Sequence, residues 1–205
     1  MAPGAIRRCA PTARAWHRTA AAMGVAVLLG ASPLRAQALD GTPQFASPDA
    51  AEAAAMDAFE HGHVTEARRI VAAATAYRWA QAATPYRYGA VGTNGIDCSA
   101  LVRAAYLRAG LTNVPRTSHE LATRGRLLPR VIAALEPADL LVFGKRDISH
   151  VGMYLGGGFF IHAASSEHGV VISRLDDPKW TRLWLSARRL IEDRGAPPVT
   201  ERVAK

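Results

Sequence analysis

The stretch YRYGAVGTNGIDCSALVRAAYLRAG, residues 86–110, sets one cysteine where a glycine-rich loop gives way to a helix. After Cys98, residues Leu101, Val102, Ala105, Tyr106 and Ala109 recur at helical spacing and make a single apolar face. This spacing predicts a buried helix with Cys98 in its first turn. Asp97 is the natural N-cap, its side chain accepting from the unpaired amides there, and residues 89–95 supply the sharp entry. Those amides and the positive end of the helix dipole favour thiolate over thiol. The competing reading is structural, because free cysteine most often behaves as a small buried hydrophobe.

The compartment shifts that balance. Residues 1–38 read as a secretory signal: Arg7, Arg8, Arg14 and Arg18 form a basic start, 19–31 an uncharged apolar stretch, and Ala36-Gln37-Ala38 a small-x-small cleavage site. The apolar stretch is shorter than the roughly 20 residues a spanning helix needs, so no stable membrane insertion is expected after cleavage. Export by the general or the twin-arginine route is left open by Arg7-Arg8. Cleavage after Ala38 removes five arginines and no acidic residue, lowering the formal charge from +8 by five to +3. A mildly basic mature chain suits an anionic envelope polymer and makes a nucleic-acid role unnecessary. Cys9 leaves with the signal, and a lone Cys98 in an oxidising compartment has no internal disulfide partner.

The remaining 167 of 205 residues suffice for one domain. Ser47-Pro48-Asp49 opens an alanine-rich helix to about Glu60, His61-Gly62-His63 breaks it, and a second helix is expected over 64–82 before Thr84-Pro85. His61 and His63 read as solvated residues at a polar break. Thr117-Ser118-His119-Glu120 fits a capping box opening a short helix to about Arg124, with His119 exposed. Strands are expected over 139–143, 150–155, 159–164, 170–175 and 186–191. Helices first and an antiparallel sheet of about five strands afterwards make an α+β fold.

The hairpin HVGMYLGGGFFIHAA, residues 150–164, turns naturally at Gly156-Gly157-Gly158. A three-residue loop would set Leu155 against Phe159 and Gly152 against His162, leaving His150 and His162 diagonal neighbours on one face. A one-residue slip would send them to opposite faces. Two histidines on one face can simply line a polar patch. Beside a thiol at a helix start, they form a nucleophile, base and orienting group. A Cys–His–His zinc site, with His168 as the spare ligand, is the metal alternative.

The segments YRYGAVGTNGIDCSALVRAAY, VPRTSHELATRG, LEPADLLVFG, ISHVGMYLGGGFFIHAASSEHGVVISRL and PKW…ARRLI resemble successive motifs of the NlpC family of papain-like bacterial cell-wall cysteine peptidases. The resemblance implies a papain-like α+β fold with the nucleophile helix packed on the sheet. It assigns Cys98 as nucleophile, His150 as base and His162 as third polar member, and it puts Tyr86, Asp97 and Ser99 in the oxyanion or substrate-binding group, with no metal and no cofactor. The implied activity is murein endopeptidase chemistry on peptidoglycan stem or cross-link peptides, through a thioester, in the periplasm or cell envelope. A peptidoglycan amidase, an acyltransferase or a non-catalytic wall-binding module on the same fold is the alternative. The implied organisation is a signal at 1–38, a linker and helical extension at 39–70, the catalytic domain at 71–191 and a flexible tail at 192–205. The sequence departs from the family at Gly89-Ala90, where two glycines are usual, and in a short 144–148 loop; Ala90 would strain the turn if its φ had to be positive.

Overall fold

The computed structural model describes residues 47–192, so the expected signal, most of the linker and all but the first residue of the expected tail lie outside the described residues. The chain opens with an antiparallel pair of helices, α1 (Pro48–Glu60) and α2 (Val64–Gln81). Ser47 caps α1 by accepting from the Ala50 N–H at 3.1 Å, with Pro48 at the first helical position. Gly62, at φ 80°, makes the break between the helices. Alanines at 51, 55 and 58 face Ala67, Ile70 and Ala74, so small side chains bring the two backbones close. The opposite side of α2, through Ala72, Ala73 and Ala76, packs into the main core. No helix among the described residues is long and apolar enough to cross a membrane.

The cysteine helix is α3 (Cys98–Arg108), preceded by a minimal hairpin of β1 (Val91–Gly92) and β2 (Gly95–Ile96). All five residues of its expected apolar face are buried, and the Tyr106 hydroxyl donates to the Ala138 carbonyl at 2.7 Å. A four-residue helix, α4 (Ser118–Leu121), follows with both arms of the Thr117–Glu120 capping box made. It stops three residues before the expected end.

The main sheet comprises β3 (Arg126–Leu128), β4 (Leu140–Gly144), β5 (Ile148–Gly156), β6 (Phe159–Ala164), β7 (Gly169–Arg174) and β8 (Trp184–Arg189), in the order β3-β8-β4-β5-β6-β7. It is antiparallel throughout. All five expected strands are present, and β3 adds a sixth whose three residues are too few to show an alternation. A short helix, α5 (Pro178–Leu183), joins β7 to β8. One sheet face carries Leu140, Val142, Val151, Met153, Ile161 and Ala163 against α2 and α3. The other carries Leu141, Phe143, Tyr154 and Phe160 against Trp180 and Trp184. A buried ion cluster fastens the end of the sheet to the helices: Asp139, 1% exposed, receives both arms of Arg189 at 2.9 and 2.7 Å, and Arg69 of α2 lies 3.8 Å from it.

The β5–β6 hairpin differs from expectation at its tip. Met153 pairs with Ile161 and Tyr154 with Phe160 in the anticipated register, but Phe159 pairs with Gly156, not Leu155, across a bulge. The turn proper is Gly157-Gly158, with φ of 60° and 83°, a two-residue turn that demands positive φ at both positions. The bulge absorbs the extra residue, so the histidine faces are preserved.

Candidate active site

Cys98 is half-buried at the first turn of α3. Asp97 caps that turn, its Oδ1 accepting from the Ala100 N–H at 2.8 Å and the Ser99 hydroxyl at 3.0 Å, and its Oδ2 accepting from the Gly89 N–H at 3.0 Å. Gly89 takes the left-handed turn at φ 76°, and Ala90 is not among the positive-φ residues, so the departure at Ala90 costs no strain. Arg116, from the loop before α4, forks onto Asp97: Nη1 donates to Oδ1 at 3.0 Å and Nη2 to Oδ2 at 2.6 Å. The same guanidinium donates to Ser99 Oγ at 2.8 Å and to the Gly89 carbonyl at 3.0 Å, tying the glycine turn to the helix start. Burial opposes ionisation of Asp97, yet the hydrogen bonds from Arg116, Ala100 and Ser99 outweigh it and hold the carboxyl below its ordinary value.

The thiol behaves otherwise than its helix position suggests. Burial pushes Cys98 up; the Val151 amide opposes this, the Asp97 charge reinforces it, and the Ser99 and Cys98 amides pull down. Desolvation therefore outweighs the helix terminus, and the resting group is a thiol. The Val151 amide at the sulfur belongs to the residue that follows His150, so α3 and β5 meet at this point. Tyr86 is half-buried: burial raises its hydroxyl, and the charges of Cys98, Asp97 and Tyr88 add to the rise.

The two imidazoles meet directly. His150 Nε2 lies 3.0 Å from His162 Nδ1, with ring planes at 87°. They share the sheet face of Phe143 and Phe160, and Trp180 of α5 packs on both rings at centroid distances of 5.7 and 4.7 Å. Gly152 makes the room: a Cβ there would come within 2.9 Å of the Ile161 carbonyl oxygen and 3.3 Å of His162 Cβ. Burial and the Lys179 charge lower His150 from its ordinary 6.5 to about 4. Burial, His150 and Lys179 lower His162 to about 3. The pair is neutral at physiological pH. With Nε2 engaged by His162, Nδ1 is the nitrogen His150 can offer to a thiol proton.

The structure thus joins His150 to His162, and Asp97 to Ser99 through Arg116, and it sets the Val151 amide at Cys98. His168 is exposed at φ 59° in the β6–β7 turn, where its carbonyl accepts the Tyr86 N–H at 3.0 Å. Among the described residues, no group of three or more His, Cys, Asp or Glu side chains is arranged to hold a metal.

The model of the NlpC/P60 family matches residues 83–189, just over half of the chain. The chain belongs to the NlpC/P60 family. It is 35% identical over 108 residues to a probable endopeptidase NlpC homolog of Haemophilus influenzae, covering 53% of this chain and 56% of that protein. It is 34% identical over 107 residues to the murein DD-endopeptidase MepS/murein LD-carboxypeptidase of Escherichia coli, covering 52% and 55%. The chain spans about half the length of these curated relatives. Among solved structures it resembles the peptidoglycan hydrolase RipB of Mycobacterium tuberculosis, with 26% identity, a TM-score of 0.50, and coverage of 76% of this chain and 95% of that one. The matched segment contains every NlpC/P60 site residue anticipated from the sequence. Arg116, Ser173 and Trp180 are not singled out by sequence reasoning: each reaches the site from a distant element, and only the P-R-T and P-K-W motifs hint at the first and last.

Proposed function

We propose that this protein is a cysteine peptidase that hydrolyses peptide bonds in peptidoglycan stem or cross-link peptides. Cys98 is the nucleophile, His150 the base and His162 the group that orients it, within a catalytic domain spanning 71–191. The observation that carries this reading is the His150–His162 contact at 3.0 Å on a strand whose next amide, that of Val151, meets the Cys98 sulfur. His150 Nδ1 takes the Cys98 proton as sulfur attacks the peptide carbonyl, and Tyr86 and the Cys98 amide stabilise the oxyanion. The tetrahedral adduct collapses, its C–N bond breaks, and the imidazolium gives that proton to the leaving amine. A water molecule, deprotonated by His150, then cleaves the thioester and restores the thiol. Because the thiol is raised by burial and the imidazole lowered, proton transfer is concerted with binding and attack, not completed in the resting site.

Asp97, Ser99 and Arg116 form a rigid wall beside the nucleophile that supports substrate contacts. The basic start and small-x-small site within 1–38 support export to the periplasm or cell envelope, with α1 preceding the catalytic domain. The test is incubation of the secreted form with purified peptidoglycan and mass analysis of the released fragments. Wild-type protein is expected to release peptides cut within the stem or cross-link, and Cys98→Ala to release none above background. Equal digestion by Cys98→Ala would remove the cysteine mechanism, and products cut between sugar and peptide would replace a peptidase by an amidase.

A further inference from the structure

The histidine pair continues onto a third strand. β7 pairs with β6 as His162↔Val171 and Phe160↔Ser173, so Ser173 is a diagonal neighbour of His162 on the face that His150 shares. His162 Nε2 lies 2.9 Å from Ser173 Oγ, while its Nδ1 lies 3.0 Å from His150 Nε2. His162 is 0% exposed, so both ring nitrogens depend on these two partners, whereas half-buried Ser173 can also turn its hydroxyl hydrogen toward solvent. A neutral imidazole has one donor and one acceptor nitrogen. Once His150 carries the Cys98 proton, both of its nitrogens are donors, and Nε2–H must find a lone pair on His162 Nδ1. The His162 proton is then on Nε2, aimed at Ser173.

We propose that Ser173 is a fourth member of the site, a positioning residue that accepts the His162 Nε2–H whenever His150 holds the thiol proton. The assignment rests on the cysteine-peptidase reading above. The alternative tautomer, with Nδ1–H of His162 donating to His150 Nε2, puts the resting proton of His150 on Nδ1 and leaves that nitrogen no lone pair for the thiol. Accepting from Nε2–H favours the working tautomer and makes Nδ1 a better acceptor for the charged His150. Without the hydroxyl, the Nε2–H is buried without an acceptor in the charged state.

The test compares Ser173→Ala, Ser173→Val and Ser173→Thr for kcat and KM on a peptidoglycan-derived peptide, alongside Cys98→Ala. It adds ¹⁵N spectra of histidine-labelled wild type to read the His162 tautomer. The alanine and valine variants are expected to lose roughly tenfold to a hundredfold in kcat with KM within about twofold, and threonine, which keeps the hydroxyl, recovers most of the loss. The wild-type spectrum is expected to show His162 protonated on Nε2. A wild-type His162 protonated on Nδ1, or alanine and valine variants with undiminished kcat, would overturn the assignment. The spectrum decides even if a variant fails to fold. An inactive Cys98→Ala beside a fully active Ser173→Ala removes only the fourth member, whereas an active Cys98→Ala removes the parent reading.

Discussion

Arg116→Ala would strip the cation from a carboxylate that the fold buries. Asp97 is 6% exposed and accepts two guanidinium N–H bonds, at 3.0 and 2.6 Å, besides those from Ala100, Ser99 and Gly89. Removing one partner of a buried ion pair costs about 3–5 kcal/mol. Three neutral donors remain here, and the Arg116 side chain is 37% exposed, so a loss of roughly 2–3 kcal/mol at pH 7 is expected. In an Asp97→Asn background the same change should cost about 1 kcal/mol or less, a coupling of roughly 1–2 kcal/mol. Acidity supplies an internal control. The Asp97 carboxyl lies below its ordinary 3.8 in the folded protein, so the contribution of the pair is present above that value and lost as pH falls through the folded one. Without Arg116, burial faces only neutral donors and the carboxyl moves up, so the gap between variant and wild type narrows as pH falls and closes only below the depressed wild-type value. Urea unfolding followed by circular dichroism at pH 7 and pH 3.5, in all four members of the cycle, measures each quantity. A loss under about 0.5 kcal/mol at pH 7, or an equal loss in the Asp97→Asn background, would refute the reasoning.

The histidine pair predicts that stability falls as pH drops from 6.5 towards 4. Both folded values lie below the ordinary 6.5, so the unfolded chain takes up protons first, at up to about 1.4 kcal/mol per unit per group. Melting temperatures should decline across that window and decline less in His162→Gln; a flat wild-type profile between pH 7 and 5 would contradict the burial argument. Gly152→Ala drives a Cβ to within 2.9 Å of the Ile161 carbonyl oxygen, which cannot yield as a flexible side chain would. A loss of about 1–3 kcal/mol in unfolding free energy and at least a tenfold drop in peptide hydrolysis are expected, the latter from displacement of His162. Wild-type hydrolysis by Gly152→Ala would show that the imidazole contact tolerates such a shift.

Local signals are strong where one short segment carries both a boundary and a period. Asp97, Cys98 and the face from Leu101 to Ala109 fix α3, and Ser47-Pro48-Asp49 fixes the start of α1. Alternation around Gly152 puts His150 and His162 on one face, because register survives a bulge confined to the hairpin tip. The same cap-and-proline signal stands at Asp177-Pro178 and opens α5, but that helix has only six residues and no visible period. Arg116 reads in sequence as part of a turn because its partner Asp97 belongs to another element, and an ion pair leaves no pattern along the chain. Ser173 depends on the register of a second hairpin, β6–β7, added to that of the first. The thiol acidity escapes sequence reasoning for a related cause: a helix start is visible along the chain, whereas the desolvation that outweighs it is a property of the packed core.

The place of β8 has a consequence for how the molecule is made. The last described strand pairs with β3 through Leu128↔Ala187 and with β4 through Leu141↔Ala187, and Arg189 neutralises Asp139. A chain that ends before residue 184 already contains the thiol and both histidines, yet its β4 edge is bare, β3 has no ladder and a buried carboxylate has lost its forked partner. Closure of the sheet therefore waits on contacts distant in sequence, a slow class of event, and an unpaired β4 invites association with other chains meanwhile. Truncation from the C-terminal side should thus yield aggregation rather than a smaller folded domain. The proposed site would be complete only once biosynthesis has run almost to completion.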